Sequence, residues 1–428
     1  MKFAVLIALL LPGGFLSAQE VPGNTAPPLL QRPYEAARDF LNVYAFADAT
    51  LDSNGAYLNG ANTGSTTGFS AGGGANGYHQ WSTGVFELTY RGDYHDYGSG
   101  GLPSGNDQNL SIIFQKSFSK RWNFVASVAA GILNNGGTYY SSAPNPSNTS
   151  TVVQTNPFSF NTKFVQGNVS LSYQKSVRLS YSVSGTYFLT RYSANSGIGS
   201  NDITGSGSAN YRLTKKSTLS GTYSHGHYIY QRGEGNSNVD SAFLTMSYQL
   251  APHWSVSGSG GVTRETSNGL TTLPVLIQVG SQFFPAVVLQ PYSQTSVLPY
   301  YQGTLVHDMR HDSVNISGGQ SITPGNGYLL ASKSVGINGL WAHAMRRSNL
   351  SVGGYYDRLT SATNTASLLS STRGIDASYA YNLAYHIGVN ARYDLMDYSS
   401  FGSYGGRADN RFSLGIYVSS KDVPLGLF

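Results

Sequence analysis

Cysteine is absent from the 428 residues. That excludes a disulfide scaffold, thiolate metal sites and an N-terminal lipid-anchored cysteine. Charge is scarce: Asp, Glu, Lys and Arg make up 11% of the chain, where an ordinary soluble surface carries about a quarter or more. Long apolar runs are missing too. The run Ala4–Leu11 falls far short of the ~20 residues a membrane helix needs. Mean hydropathy is −0.20, so a bundle of membrane helices is excluded. The net charge of +5 is modest and spread over short turns, so nucleic acid is not an expected partner. No Walker loop, dinucleotide fingerprint or EF-hand loop occurs, and no cofactor is implied.

What is abundant is Gly (51), Tyr (31) and Phe (19), set among Ser, Thr and Asn in strict alternation. In Val165–Leu189 the residues Leu179, Tyr181, Val183, Gly185, Tyr187 and Leu189 share one face, and Ser180, Ser182, Ser184 and Thr186 the other. Val165, Val169, Leu171 and Tyr173 alternate in the same way before the turn at Lys175–Val177. A period of two means extended chain with one apolar and one polar face. Low charge combined with this alternation predicts a transmembrane antiparallel up-and-down β-barrel, with lipid on one face of each strand and a polar lumen on the other.

Eighteen strands are expected: Phe40–Leu51, Ser65–Asn76, Thr83–Tyr94, Asn109–Phe118, Trp122–Leu133, Asn161–Gln174, Arg178–Tyr192, Asp202–Leu213, Ser217–Tyr230, Val239–Leu250, Trp254–Arg264, Val297–Asp308, Ser313–Ser321, Tyr328–Ala342, Asn349–Leu359, Thr372–Tyr381, His386–Tyr398 and Asn410–Ser419. The count falls to sixteen if Ser65–Asn76 and Ser313–Ser321 are not strands. The Gly-rich run 71–77 reads as close strand packing that runs into a turn at His79-Gln80-Trp81. Short basic turns, such as Ser119-Lys120-Arg121 and Thr214-Lys215-Lys216, alternate with longer Gly/Asn/Ser-rich connections. That asymmetry is the one expected between periplasmic turns and outer loops. Tyr211-Arg-Leu, Tyr248-Gln-Leu and Tyr381-Asn-Leu each precede a short turn. This is an internal hairpin repeat that cannot bury its apolar face alone.

Ahead of the barrel, residues 1–18 read as a secretory signal, with Lys2, the apolar run and Leu16-Ser17-Ala18 before the cleavage point. Residues 19–38 are a Pro-rich periplasmic linker, and 39–428 the barrel. The chain ends Pro424-Leu-Gly-Leu-Phe428, after Lys421 and Asp422 have broken the alternation. The terminal Phe resembles the end of bacterial outer-membrane barrels, which implies recognition by the barrel-assembly machinery. With the hairpin pattern, the mature chain resembles porin-like outer-membrane barrels of Gram-negative bacteria. It also resembles, more weakly, barrels associated with exopolysaccharide export. Outer-membrane lipids and small polar solutes are the implied partners, and oligomeric state is left open.

Strand parity places the candidate lumen charges. Glu87, Arg91 and Asp93 face in because Phe86, Leu88 and Tyr90 face out. By the same rule Arg392 and Asp394 face in, and so does Arg411. Closure of the last strands on the first would bring Arg392 and Arg411 towards the Glu87 group, either to set the field of a pore or as charge pairs that satisfy each other and fill the lumen. The longest outer segment, Glu265–Gln294, is unusually apolar. Leu276, Ile277, Phe283, Phe284 and Val287 make it a candidate constriction or lid, with a small rim hairpin as the alternative. Catalytic constellations are thin. His225 and His227 share a strand face, but so do Leu219 and Tyr223, which reads as a membrane interface. His307, Asp308, His311 and Asp312 cluster at a turn, yet no Ser is marked out by spacing. The expected function is therefore passive conduction of small hydrophilic solutes rather than catalysis. The alternative is a non-enzymatic part in polysaccharide export or envelope assembly.

Overall fold

The computed structural model describes residues 39–53, 65–98, 104–134, 138–141, 152–155, 162–192, 199–233, 235–279, 282–309, 311–323, 332–361, 369–384, 386–399 and 407–420. The expected signal segment, the expected linker and the terminal Phe428 lie outside these residues.

The strands are β1 (Asp39–Asp52), β2 (Thr66–Trp81), β3 (Gly84–Asp96), β4 (Gly105–Ser117), β5 (Trp122–Leu133), β6 (Thr138–Ser141), β7 (Val152–Thr155), β8 (Thr162–Gln174), β9 (Leu179–Tyr192) and β10 (Ser200–Arg212). They continue with β11 (Ser217–Tyr230), β12 (Gly235–Ala251), β13 (Trp254–Val279), β14 (Gln282–Asp308), β15 (Asp312–Thr323), β16 (Ser332–Ala344), β17 (Ser348–Ser361), β18 (Leu369–Asn382), β19 (Ile387–Tyr398) and β20 (Arg407–Ser419). Strands β6 and β7 pair only with each other, inside the connection between β5 and β8. The other eighteen form one antiparallel sheet. It closes where β1 pairs with β20, from Tyr44↔Ser419 to Asp52↔Arg411. Both strands that could have been lost from the count, β2 and β15, are in the ring. Closure leaves no edge strand in the ring, which an open sheet of such sequences could not achieve in lipid.

The alternation sorts the two faces as physics requires. Val183 (65% exposed), Ile203 (57%) and Leu414 (56%) point outward, while Thr186 (6%), Thr245 (3%) and Tyr417 (1%) point inward. The inward hydroxyls satisfy one another across the ladder: Ser182–Ser208 at 2.6 Å, Ser184–Ser206 at 2.6 Å, Thr245–Ser259 at 2.8 Å and Ser351–Ser378 at 2.7 Å.

Two expectations are corrected. First, no turn follows residue 77. Strand β2 runs through the Gly-rich run to Trp81, and Asp39↔His79 and Trp81↔Gly84 are ladder pairs. The close packing is real: a Cβ on Gly74 would meet the Tyr44 ring at 2.6 Å, so glycine makes room for that inward tyrosine. Second, 265–294 is not a loop. Strands β13 and β14 continue as a regular ladder out to Val279↔Gln282. The β12 ladder stops at Gly269 and the β15 ladder stops at Tyr301. The hairpin therefore runs about 33 Å beyond its β12 neighbour, at ~3.3 Å per residue. Pro274, Pro285 and Pro291 stand along this free ribbon, where a missing N–H costs no ladder bond and discourages pairing with another chain.

Candidate functional site

The inward arginines and their acid partners gather where the barrel closes, with Glu87 nearer the short-turn end. Strand β3 supplies Glu87, Arg91, Asp93 and His95, all in phase because the ladder is regular from Phe69↔Asp96 to Trp81↔Gly84. Arg91 Nε lies 3.5 Å from Asp93 Oδ1, and its guanidinium sits 4.0 Å over the Phe46 ring. Arg392 grips Asp394, two residues along β19, with Nε–Oδ2 and Nη2–Oδ1 both 2.8 Å. Arg411 on β20 donates to Asp52 on β1 through Nη2 at 3.0 Å and Nε at 3.1 Å. The Asp52 side chain is fully buried. Asp48, two inward positions before Asp52 on β1, accepts from Asn390 at 3.3 Å.

Each predicted arginine thus takes its own carboxylate. Sequence reasoning does not reach Asp48, Asp52, His95, Asp107 and Asp409. Parity on β1 is the signal that finds Asp48 and Asp52, since both fall in phase with Tyr44 and opposite Val43 and Leu51. His95, Asp107 and Asp409 lie just past the expected strand ends.

Halfway round the ring from β1 the wall changes character. Phe243 and Tyr300 stack at 4.6 Å, and Tyr228, Tyr230, Val239 and Ile322 form a buried cluster. Two carboxylates are set among hydroxyls there. Asp202 accepts from Ser200 at 2.9 Å, and Glu265 from Ser267 at 2.7 Å. The seam wall thus sets its arginine–carboxylate pairs beside the buried cluster Tyr44, Phe46 and Tyr417, and the opposite wall sets two carboxylates among aromatics and hydroxyls.

The histidine groups resolve into separate pairs. His225 Nδ1 lies 2.8 Å from Asp240 and His227 Nδ1 lies 2.6 Å from Asn238, each across the β11–β12 ladder. His307 stacks on Trp254 at 4.1 Å and contacts the His253 carbonyl at 3.2 Å. Asp312 pairs instead with His343 at 2.7 Å. These contacts do not assemble a nucleophile, base and orienting acid. At the short turn the His343 ring holds the Asp312 carboxyl below its ordinary range. At the opposite end the Ser104 hydroxyl, 2.6 Å away, does the same for Asp96, helped by the Gly98 N–H.

The backbone of the candidate lid, Leu276, Ile277, Phe283, Phe284 and Val287, lies in the projecting ribbon. Ile277 is paired with Phe284.

No protein-family model matches the chain, and no curated protein is detectably similar to it in sequence. Among solved structures it is similar to Pseudomonas aeruginosa OccK2 (OpdF), with 11% identity, TM-score 0.42, and 89% of this chain and 99% of that one covered. Pseudomonas aeruginosa OpdL gives 11% identity, TM-score 0.40, and coverage of 89% and 99%. A BenF-like porin from Pseudomonas fluorescens Pf-5 gives 13% identity, TM-score 0.42, and coverage of 89% and 98%.

Proposed function

We propose that the chain is an outer-membrane β-barrel that passes small hydrophilic solutes passively. The observation that carries this reading is the inversion of faces around a closed ring. Large apolar side chains such as Val169, Leu244 and Val262 are exposed outward, while hydroxyls, amides and paired charges line the inside. Such a surface is stable only with lipid outside and water or solute within.

The short-turn end supports a membrane interface. Trp122, Tyr248, Trp254 and Trp341 are outward and exposed close to the turns, as an aromatic girdle is. Phe118, Val177, Leu213, Met309, Met345 and Leu383 are exposed apolar residues in or beside them. Lys120, Arg121, Lys175, Arg178, Lys215, Lys216, Arg346 and Arg347 accompany these residues, placed to meet lipid phosphates at ~1 kcal/mol each. In this reading the short turns are periplasmic and the long connections face outward. Residues 1–18 direct export, 19–38 form a periplasmic linker, and the C-terminus is read by the barrel-assembly machinery. Glu87, Arg91, Asp93, Arg392, Asp394 and Arg411 shape the field of the lumen, and the 273–291 ribbon serves as a lid.

Swelling of liposomes loaded with the purified protein tests the reading. Monosaccharides and small amides enter and large dextrans do not. Equal exclusion of all solutes by correctly folded protein rejects it. The projecting β13–β14 ribbon favours a second reading, a non-enzymatic component of polysaccharide export or envelope assembly. Copurification of a glycan or a periplasmic partner, with no solute flux, would select that one.

A further inference from the structure

We propose that Asp93, His95 and Asp107 form a binding site for a divalent transition-metal ion of the zinc type, at the outer end of the charged wall.

Three observations converge on this. The first is register: Asp93 and His95 stand two apart on β3 and share its inward face, and Asp107 on β4 is the direct ladder partner of Asp93. The three ligand atoms lie within 4.8 Å of one another.

The second is how the carboxylates are turned. Asp93 presents Oδ1 to Arg91 and Oδ2 to the imidazole. Asp107 accepts the Asn134 backbone N–H on Oδ1 at 2.6 Å and likewise turns Oδ2 to the imidazole. Asp107 is thus fixed by one oxygen, Asp93 faces Arg91 with Oδ1 without a hydrogen bond, and both offer Oδ2 at the same point.

The third is the imidazole itself. The His95 side chain is 3% exposed, and its Nδ1 lies 3.9 Å from Asp93 Oδ2 and 3.8 Å from Asp107 Oδ2. Those separations are too long for hydrogen bonds. No hydrogen bond reaches either ring nitrogen among the described residues, and Nε2 is buried and unpartnered. Burying a bare imidazole between two carboxylates costs free energy unless something joins them.

An ion bound at roughly 2.0–2.2 Å to each ligand holds its donors about 3.0–3.5 Å apart, so the ring closes on each carboxylate by about half an ångström. That is within the reach of side-chain rotation. The donor set of one neutral imidazole and two carboxylates, with no thiolate, suits zinc over copper(I). Its low count of oxygens disfavours calcium, which takes six to eight. Tyr97, whose ring lies 5.6 Å from that of His95, covers the imidazole from one side. Open coordination positions would be left to water, or to an anionic solute in transit.

Isothermal titration of the chelator-treated full chain in detergent micelles with zinc chloride tests this. The expected result is one ion per chain, bound at least ten-fold more weakly by His95→Gln and by Asp107→Asn, and calcium bound at least ten-fold more weakly than zinc. Arg91→Gln, which removes the positive charge beside Asp93 Oδ1 and leaves that carboxylate's charge to the ion, binds zinc more tightly. Heat-modified gel mobility establishes that each variant is a folded barrel. Zinc shifts the reversal potential of the wild-type pore towards anions, and this shift is lost in His95→Gln. No zinc heat in folded wild-type protein overturns the site. So does binding that all three substitutions leave unchanged. The titration reads the site whether or not the barrel conducts.

Discussion

Arg411 Nη2 meets Asp52 Oδ2 at 3.0 Å across the seam that closes the barrel, although 359 residues separate the two in sequence. They are direct ladder partners in the β1–β20 register, so the first and last strands are joined by a charge pair as well as by backbone bonds. The Asp52 carboxylate is fully buried and accepts two hydrogen bonds from that guanidinium. Arg411→Ala is expected to destabilise the folded barrel by about 3 kcal/mol, because the buried carboxylate loses its paired cation. Asp52→Ala/Arg411→Ala loses less than Arg411→Ala alone. Reversible urea unfolding in lipid vesicles measures both. A double variant no more stable than the single one contradicts this account of the seam.

The inward wall near the seam also sets close steric limits. A Cβ at Gly388 would overlap the Tyr417 ring, which is 1% exposed and donates its hydroxyl to Asn382 at 2.8 Å. Gly388→Ala is expected to cost about 1–3 kcal/mol by overpacking. In Gly388→Ala/Tyr417→Ala the two costs are less than additive, since the second change removes the obstacle. Unfolding midpoints of the four proteins measure this coupling, and strict additivity would count against the contact.

Charge at the seam should be readable as ion preference. Arg392 and Asp394 neutralise each other through two 2.8 Å contacts. Asp394→Asn removes one negative charge from the pair and is expected to move the reversal potential in a salt gradient towards anions. Arg392→Gln moves it towards cations. Equal potentials for both would mean that these groups do not face the conducting path.

The projecting ribbon is structurally separable. Beyond Gly269↔Tyr292 its strands pair only with each other among the described residues. Replacing 270–291 with a short Asn-Gly turn is therefore expected to leave barrel content unchanged by circular dichroism and by heat-modified gel mobility. As a lid it would raise the open-pore conductance when removed. A variant that fails to assemble would show that the ribbon supports the wall.

At the short turns, Asp312 titrates below its ordinary value of 3.8 because His343 bonds its charged form. A depressed carboxyl pKa stabilises the fold above the unfolded value, and the contribution is lost as pH falls through the folded one. Carbon-13 carboxyl titration by nuclear magnetic resonance should place Asp312 below 3.8, with His343→Gln raising the midpoint. An unmoved midpoint removes the pair from the account.

The barrel was legible because lipid enforces alternation. Leu179 to Leu189 must be apolar on one face wherever that face meets hydrocarbon, and every strand repeats the rule. Legibility ends where the outward face leaves lipid. His95 and Asp107 fall beyond the expected bounds of β3 and β4, where nothing outside the barrel demands an apolar partner and the period fades. The same cause hides β13 and β14 past Arg264, since a ribbon beyond the membrane answers to different solvents. The Gly-rich run 71–77 misleads for another reason. Its Gly74 makes room for the Tyr44 ring across the ladder, a contact no local pattern displays. Pairing of the charges was also out of reach, because parity gives the face of Arg411 but not the register that sets it against Asp52.

Planar-bilayer recording of the purified full chain tests the central claim most directly. Stepwise, ohmic conductance that persists without any energy source is the predicted result, with unit steps altered by Asp394→Asn. A folded, membrane-inserted barrel that gives no steps, and none after removal of 270–291, would contradict it.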